Sequence, residues 1–278
     1  MTRIRVFTAL AMTPFAVAGI LLLPTPWLVA AAAVLFLTGL WEWFKLAEID
    51  DSLARTVLLL VNLLLMVALA WGSRTSSGGS LVLFQLVVVA GVIWWLLACL
   101  WLKHYNFASD HDTHARMFKL AAGTLAVVPA WCALALLHAT PPNGHRWLLV
   151  ALAIVWAGDT GAYFVGRAFG KHKLAPRISP NKSVEGLFGG MVCALLAAAV
   201  LGWYAGATPE QQPWLLLVAL ATFLASVIGD LFESLLKRHI GVKDSGDILP
   251  GHGGILDRID AVLAALPVFA LGKLWLGF

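Results

Sequence analysis

Residues 81–102 read LVLFQLVVVAGVIWWLLACLWL, an apolar run without a single charged side chain. Wound as an α-helix at 1.5 Å per residue, it reaches about 33 Å, enough to cross a hydrocarbon core of about 30 Å. A buried core helix would explain one such run in a water-soluble protein, but not a chain built of them. Working outward, comparable runs fall at about 6–23, 27–44, 56–72, 117–138, 147–166, 187–205, 214–233 and 258–277, making nine candidate spans. Of the 278 residues, 60% are hydrophobic and 12% charged, and mean hydropathy is +0.86. Soluble domains lie nearer half apolar and a quarter charged. The sequence predicts an all-α fold, a polytopic membrane bundle of about nine transmembrane helices.

Turn residues separate the spans. Pro24 and Pro26 mark the first connection, Asp50 and Asp51 the second, and Ser76 to Ser80 the third. Pro141 to Gly144 mark the fifth and Ala207 to Pro213 the seventh. Pro14, Pro129 and Pro267 fall inside spans, where neighbouring helices can satisfy the carbonyls they free. The first segment has the basic start and apolar run of a signal sequence but no small-residue cleavage site, so it reads as a retained span.

Alternating nine spans from an inner N-terminus puts 16 of the 19 Lys and Arg residues on the inner side. Only Arg74, Arg146 and Lys273 fall outside. Such a bias is what the positive-inside rule expects, so the predicted topology is N-in and C-out, in a bacterial cytoplasmic (inner) membrane. The sequence pI of 9.1 then needs no nucleic acid, because topology charge beside an anionic leaflet accounts for it. Cys99, Cys132 and Cys193 sit in apolar spans and read as small buried hydrophobes.

The two halves differ. Residues 1–150 keep their polar side chains mostly to loops and read as a scaffold with potential dimer contacts. Glu42 and Lys45 lie near a span end, as interfacial residues do. The segment 103–116, with three histidines and two aspartates, reads as a wet loop rather than a metal site. Residues 151–278 read as a catalytic region with cytoplasmic loops 167–186 and 238–256. Here Asp159 and Asp230 interrupt spans. An ionisable group at membrane depth costs about 3 kcal/mol on insertion scales, so each usually faces a cavity, an ion or a partner.

Helical spacing sharpens this. Ser226, Asp230, Ser234 and Lys237 share one face of the eighth span, and Glu233 stands four residues before Lys237. Asp257 and Asp260 share a face at the start of the ninth. The loop between, HIGVKDSGDILPGHGG, carries glycines that let backbone N–H groups approach an anion. Lys237, Arg238, Lys243 and Arg258 interleave there with Asp230, Asp244, Asp247, Asp257 and Asp260. Oxygen ligands for a divalent cation next to positive charges for phosphate suit a polyphosphate held with a hard metal such as magnesium. The other loop adds Arg167, Lys171, Lys173, Arg177, Ser179, Lys182 and Ser183, with Ser183 placed to cap a following helix.

The stretch Ser234-Leu-Leu-Lys237-Arg238, four residues, Lys243-Asp244-Ser-Gly246, then Leu249-Pro250-Gly-His252-Gly253-Gly254-Ile-Leu-Asp257-Arg258-Ile-Asp260 resembles the signature of the phosphatidate cytidylyltransferase (CDP-diacylglycerol synthase) family, bacterial type. Gly158 to Phe164, Gly166-Arg167 and Ile178 to Gly186 resemble further family segments, with Ser183 where threonine is more usual. The resemblance covers about 155–265. It implies transfer of CMP from CTP to phosphatidic acid, dependence on Mg2+ with room for a monovalent cation such as K+, and a homodimer. It also implies that Asp230 and Asp257 hold the metal, with Asp260 as a direct ligand or a holder of metal water. Lys237, Arg238, Lys243 and Arg258 then neutralise the triphosphate. Arg177, Ser179 and Lys182 are candidates for the lipid phosphate or the far side of CTP, and Asp159 for orienting Lys182 or joining the metal. Ser183, Ser234, Asp244, His252, Gly253 and Gly254 complete the substrate-binding set. Two rival readings stand beside this one: an ion-coupled transporter, which would suit buried aspartates in broken spans, and a CTP-dependent polyprenol or phytol kinase, which would release CDP.

Overall fold

The computed structural model describes residues 13–73, 81–248 and 253–278. In chain order these form α1 (Thr13–Leu22), α2 (Thr25–Leu46), α3 (Ser52–Gly72), α4 (Val82–Lys103), α5 (Thr113–Ala139) and α6 (Gly144–Phe169). A two-stranded hairpin follows, β1 (Lys173–Ala175) and β2 (Ser179–Ser183), and then α7 (Val184–Ala205), α8 (Gln212–His239) and α9 (Leu256–Leu276). Among the described residues eight helices, α2 to α9, are long and apolar enough to cross a membrane. The described part of the predicted first span is the shorter α1, and residues 6–12 lie outside the described residues. The protein is thus a polytopic membrane bundle of α-helices, as the hydropathy pattern predicts.

Several helices run past the apolar stretches that mark them. The largest excess is at the C-terminus of α8, which continues from Glu233 to His239 and so carries Lys237 and Arg238 as helical residues. The departure from an all-α chain is the hairpin, where β1 and β2 pair antiparallel with Lys173 opposite Ser183. Its sequence, KLAPRISPNKS, lacks the apolar alternation that marks a strand, and the segment reads as loop from sequence alone.

Local chemistry sets the helix starts. Asp51 caps α3 by accepting from Leu53 N at 3.0 Å, and Asp112 caps α5 by accepting from Ala115 N at 2.7 Å. Ser183 caps α7 by accepting from Gly186 N at 3.1 Å, as its position predicts. No side chain of its own caps α9.

Packing places α5 at the centre and leaves α3 at the edge. α6 and α7 lie closest. Gly186, Gly190, Ala194, Ala198 and Gly202 form the buried face of α7, and a Cβ on Gly190 would stand 2.6 Å from the Gly158 carbonyl. Small residues at this spacing let backbones touch where no hydrophobic force separates helix from lipid. Phe232 on α8 is fully buried among Trp43, Trp94, Trp95 and Trp101, three of them edge-on to it. Residues two apart on a helix point about 200° apart. Anchoring Phe232 therefore turns Asp230 and Ser234 away from this aromatic cluster.

The connections 47–51, 104–112 and 170–183 and the described residues 240–248 and 253–255 gather at one end of the bundle. There His239 Nε2 meets the Tyr105 carbonyl at 2.7 Å, and Arg177 stacks over the Tyr105 ring with 4.2 Å to its centroid. The fully buried Lys119 of α5 donates to Glu48 at 3.0 Å, and His111 joins the same carboxylate. Burial pushes the Glu48 pKa up, but the hydrogen bonds from Lys119 and His111 outweigh it and hold the group below the ordinary 4.5.

Glu48→Ala would leave a buried ammonium without its partner and is expected to cost about 3 kcal/mol, read as a lower thermal midpoint of the detergent-solubilised protein. The pair stabilises the fold at neutral pH, and its contribution falls away in acid as Glu48 takes up a proton.

Candidate functional site

α8 and α9 cross so closely that a Cβ on Gly229 would lie 2.4 Å from the Asp260 carbonyl. This contact sets Asp230 beside Asp260. Asp230 lies roughly 14 Å along the helix from the end of α8, and Asp159 roughly 15 Å from the end of α6. Both aspartates therefore stand well in from the helix ends, Asp159 exposed and Asp230 half-buried. Asp159, Asp230 and Asp260 lie within electrostatic reach of one another, and Glu233 within reach of Asp260 and Asp257. The result is a string of carboxylates from α6 across α8 to the start of α9.

Two lysines divide the string between them. Lys182, at the end of β2, bonds Asp230 at 2.6 Å, and Ser234 donates to the same carboxylate at 3.4 Å. Lys237 bonds Glu233 at 2.5 Å and Asp257 at 2.6 Å. The Glu233–Lys237 pair is the one their four-residue spacing suggests. Three of the five carboxylates thus bond two ammonium groups, and among the described residues Glu233 Oε1 is buried without a hydrogen-bond partner.

The hairpin hangs over this string. Arg238 Nε donates to the Ile178 carbonyl at 3.2 Å, which fixes the turn of the hairpin to the end of α8. Glu185 accepts from the Lys171 and His172 amides and closes the hairpin's other side. Beneath it lies a cavity of about 380 Å³ lined by Asp159, Tyr163, Asn181, Lys182, Phe223 and Asp230, among others. A polar end and an apolar wall suit a ligand with a charged head and a greasy body.

The loop between α8 and α9 is organised by carboxylates. Asp257 Oδ2 accepts from Ser245 N at 3.0 Å and from Gly254 N at 2.8 Å. The anion that these loop amides approach is the protein's own. Glu42 of α2, fully buried, accepts from Ser245 Oγ at 3.0 Å and from Leu256 N at 2.7 Å. A Cβ at Gly246 would stand 2.5 Å from Glu42 Oε1, and one at Gly254 2.3 Å from Glu42 Oε2.

Sequence expectations meet this geometry unevenly. Asp159, Lys182 and Asp230 converge on the cavity. Lys182 pairs with Asp230 rather than Asp159. Of the expected metal-holding residues, Asp230 stands beside Asp260 and is held by Lys182 and Ser234, while Asp257 is held by Lys237 and two amides. Among the described residues no three His, Cys, Asp or Glu side chains gather as metal ligands. The donor chemistry still fits a hard cation, since the acids outnumber the lysines. Ser183 has its hydroxyl in the α7 cap, and Ser226 donates to the Phe223 carbonyl rather than along the shared face. Arg177 is stacked on Tyr105, Ser179 is half-buried in β2, and Lys243, Asp244 and Arg258 are exposed near the loop. Gly253 turns with φ of 81°, as glycine permits. His252 lies outside the described residues. Glu42 was not legible as a site residue. Its signal is a single acid in a span otherwise free of acids, which from sequence alone reads as interfacial.

The profile of the Cytidylyltransferase family matches residues 3–274. A phosphatidate cytidylyltransferase of Pseudomonas aeruginosa is 39% identical over 276 residues, covering 99% of this chain and 97% of that protein. One from Haemophilus influenzae is 35% identical over 282 residues, covering 97% and 98%. One from Staphylococcus epidermidis is 51% identical over 132 residues, about half of each chain.

Lys237→Met would leave Glu233 and Asp257 without their shared counter-charge. Thermal unfolding in detergent is expected to show a loss of about 3 kcal/mol, larger than for substitution of the exposed Lys243.

Proposed function

Because the chain belongs to the cytidylyltransferase family, as a phosphatidate cytidylyltransferase of bacterial type, we propose that the acidic recess between α6, α8 and the hairpin is where its reaction takes place. That reaction transfers CMP from CTP to phosphatidate, giving CDP-diacylglycerol and pyrophosphate. Similarity along nearly the whole length of such enzymes disfavours the transporter and the polyprenol or phytol kinase readings.

The observation that carries the assignment of the site is the Lys182–Asp230 pair on the cavity wall. An ammonium already held at the mouth of a cavity that is polar at one end can move from a carboxylate to an incoming phosphate with little reorganisation. In this reading the phosphatidate head enters from the side, with its acyl chains left in lipid, and Lys182, Ser179 and Arg177 receive its phosphate. A phosphate oxygen forms the new bond to the α-phosphorus of CTP while the bond from that phosphorus to the β-phosphate bridging oxygen breaks. The electron pair leaves with pyrophosphate. The phosphomonoester has a second pKa near 6 and is largely dianionic near pH 7, so no general base is required. Lys237, Arg238, Lys243 and Arg258 offset the charge of the triphosphate and of the leaving group, the arginines through paired donors.

The excess of carboxylate over ammonium supports a divalent cation, with Mg2+ the natural choice for oxygen donors. Asp230, Asp257 and Asp260 would hold it. When bound, the cation supplies neutralisation of the phosphate oxygens as charge shifts to the leaving group. A monovalent cation such as K+ and a homodimer belong to the same proposal.

The orientation follows from charge. Lys45, Arg55, Lys103, Arg116, Lys171, Lys173, Arg177, Arg238, Lys243 and Arg258 cluster at or near the end of the bundle that carries the recess. That distribution supports an N-in, C-out chain in the inner membrane with the recess facing the cytoplasm. The cavity lining, drawn from residues between Asp159 and Asp230, supports 151–278 as the catalytic region and 1–150 as scaffold.

Asp230→Asn and Asp257→Asn are each expected to lower CMP transfer by on the order of 10²–10³-fold, measured as CDP-diacylglycerol and pyrophosphate formed from CTP and phosphatidate in detergent micelles. Near-normal turnover in either variant would remove that residue from the site. In a variant lacking Cys99, Cys132 and Cys193, Lys173→Cys is expected to react with an impermeant maleimide only once the membrane is opened; labelling from outside intact cells would reverse the topology.

A further inference from the structure

Glu42 stands outside the catalytic half, on α2, yet it is fully buried against the loop that carries the active-site signature. Its Oε2 accepts two hydrogen bonds, from Ser245 Oγ at 3.0 Å and from Leu256 N at 2.7 Å. The second is telling. Leu256 is the first residue of α9, and its amide is one of those that a helix leaves unsatisfied at its start. No residue at the start of α9 supplies a side-chain cap. Glu42, separated from Leu256 by 214 residues, does so instead. A carboxylate at this end of a helix is further favoured by the helix dipole.

The neighbouring residue completes the argument. Ser245 gives its hydroxyl to Glu42 and its backbone amide to Asp257. The two carboxylates therefore hold the same residue from two sides. Gly246 and Gly254 leave room for Glu42: a side chain at either would collide with its oxygens at 2.5 and 2.3 Å. Gly39, one turn earlier on α2, is packed on Ile259 and Leu256, so the helix that presents Glu42 is itself seated on α9. Glu42 has rigid support, and the loop has been fitted around it.

We propose that Glu42 is a positioning residue for CMP transfer. It pins Ser245 and the first turn of α9, and through them sets where Asp257 and the nucleotide-facing loop residues stand. The inference rests on the assignment of the reaction site made above. It also gives the N-terminal helices a part in the chemistry beyond that of scaffold. The expected effects are selective, because the phosphatidate side of the recess is built by Lys182 and the hairpin, which Glu42 does not touch.

The test is steady-state CMP transfer by the full-length protein in detergent micelles. Glu42→Ala is expected to lower kcat by about 100-fold, the scale of a small misplacement of catalytic groups. It should also raise KM for CTP about tenfold and leave KM for phosphatidate within about twofold. A smaller fraction of folded enzyme would lower kcat and leave both KM values alone, so the CTP shift separates positioning from loss of fold. Glu42→Gln keeps an oxygen to accept both hydrogen bonds and is expected to stay within about fivefold of the parent. Gly246→Ala, which pushes on Glu42, should reproduce the CTP-selective defect, and the double variant should be no worse than Glu42→Ala alone. If Glu42→Ala does not accumulate in membranes, Glu42→Gln and Gly246→Ala decide the matter by the same two KM values. Unchanged kcat and KM for CTP in Glu42→Ala or in Gly246→Ala would overturn the proposal. A parent protein that makes no CDP-diacylglycerol would instead overturn the reading of the reaction.

Discussion

A carboxylate set in an apolar slab has to find positive charge or donated hydrogen bonds, and in this protein that requirement organises the functional end of the bundle. Asp230 finds Lys182, Glu233 and Asp257 share Lys237, and Glu42 and Asp257 take backbone amides. Lys182 comes from the hairpin and the Ser245 and Gly254 amides from the loop between α8 and α9, while Lys237 lies on α8 itself. The acids inside the spans therefore dictate how the hairpin and the glycine-rich loop fold over them. An unpaired charge at this depth costs about 3 kcal/mol, so neither connection is free to settle elsewhere.

The acids must also face the right way, and an apolar contact decides that. Phe232 fills a nest of Trp43, Trp94, Trp95 and Trp101, drawn from α2 and α4. The nest sets the rotation of α8 about its own axis. With that rotation fixed, Asp230 and Ser234 point toward α6 and the hairpin. Aromatic edge-to-face pairs add about 0.5–1.5 kcal/mol each beyond their buried area. Helices α2 and α4 thus aim α8.

The sequence made the bundle legible because hydropathy is averaged over some twenty residues and each span declares itself. It was less informative where the physics is local or distant. The ends of α8 and α6 extend past their apolar runs because a helix in water at the membrane edge continues on caps and charge, which hydropathy scores as loop. The hairpin at 173–183 has no strand pattern, since Arg238 and Glu185 hold it through its backbone. On the site, the shared face of Asp230, Ser234 and Lys237 was readable from helical spacing, and Asp159 from its cost. What spacing could not give was partner choice. Lys182 pairs with Asp230 and not Asp159, and Asp257 takes Lys237 and two loop amides. Glu42 was invisible for the same reason: its partners are more than 200 residues away, and a lone acid near a span end looks interfacial.

The glycines show how these levels join. From the sequence, a loop with so many of them reads as a cradle for an anion, and the structure agrees in kind while changing the anion. Asp257 and Glu42 occupy the amides of Ser245, Gly254 and Leu256. A loop that has already folded around two carboxylates is preorganised: it does not need the substrate's charge to shape it. The lysines then become the mobile part. Lys182 and Lys237 sit on carboxylates, and under the proposed function a cation that neutralised those carboxylates would free both ammonium groups for phosphate. On that proposal, rigid acids and exchangeable lysines would divide the work, with charge handed over without the helices moving. The division depends on the loop staying fixed, and the contact that fixes it from outside the catalytic half is Glu42.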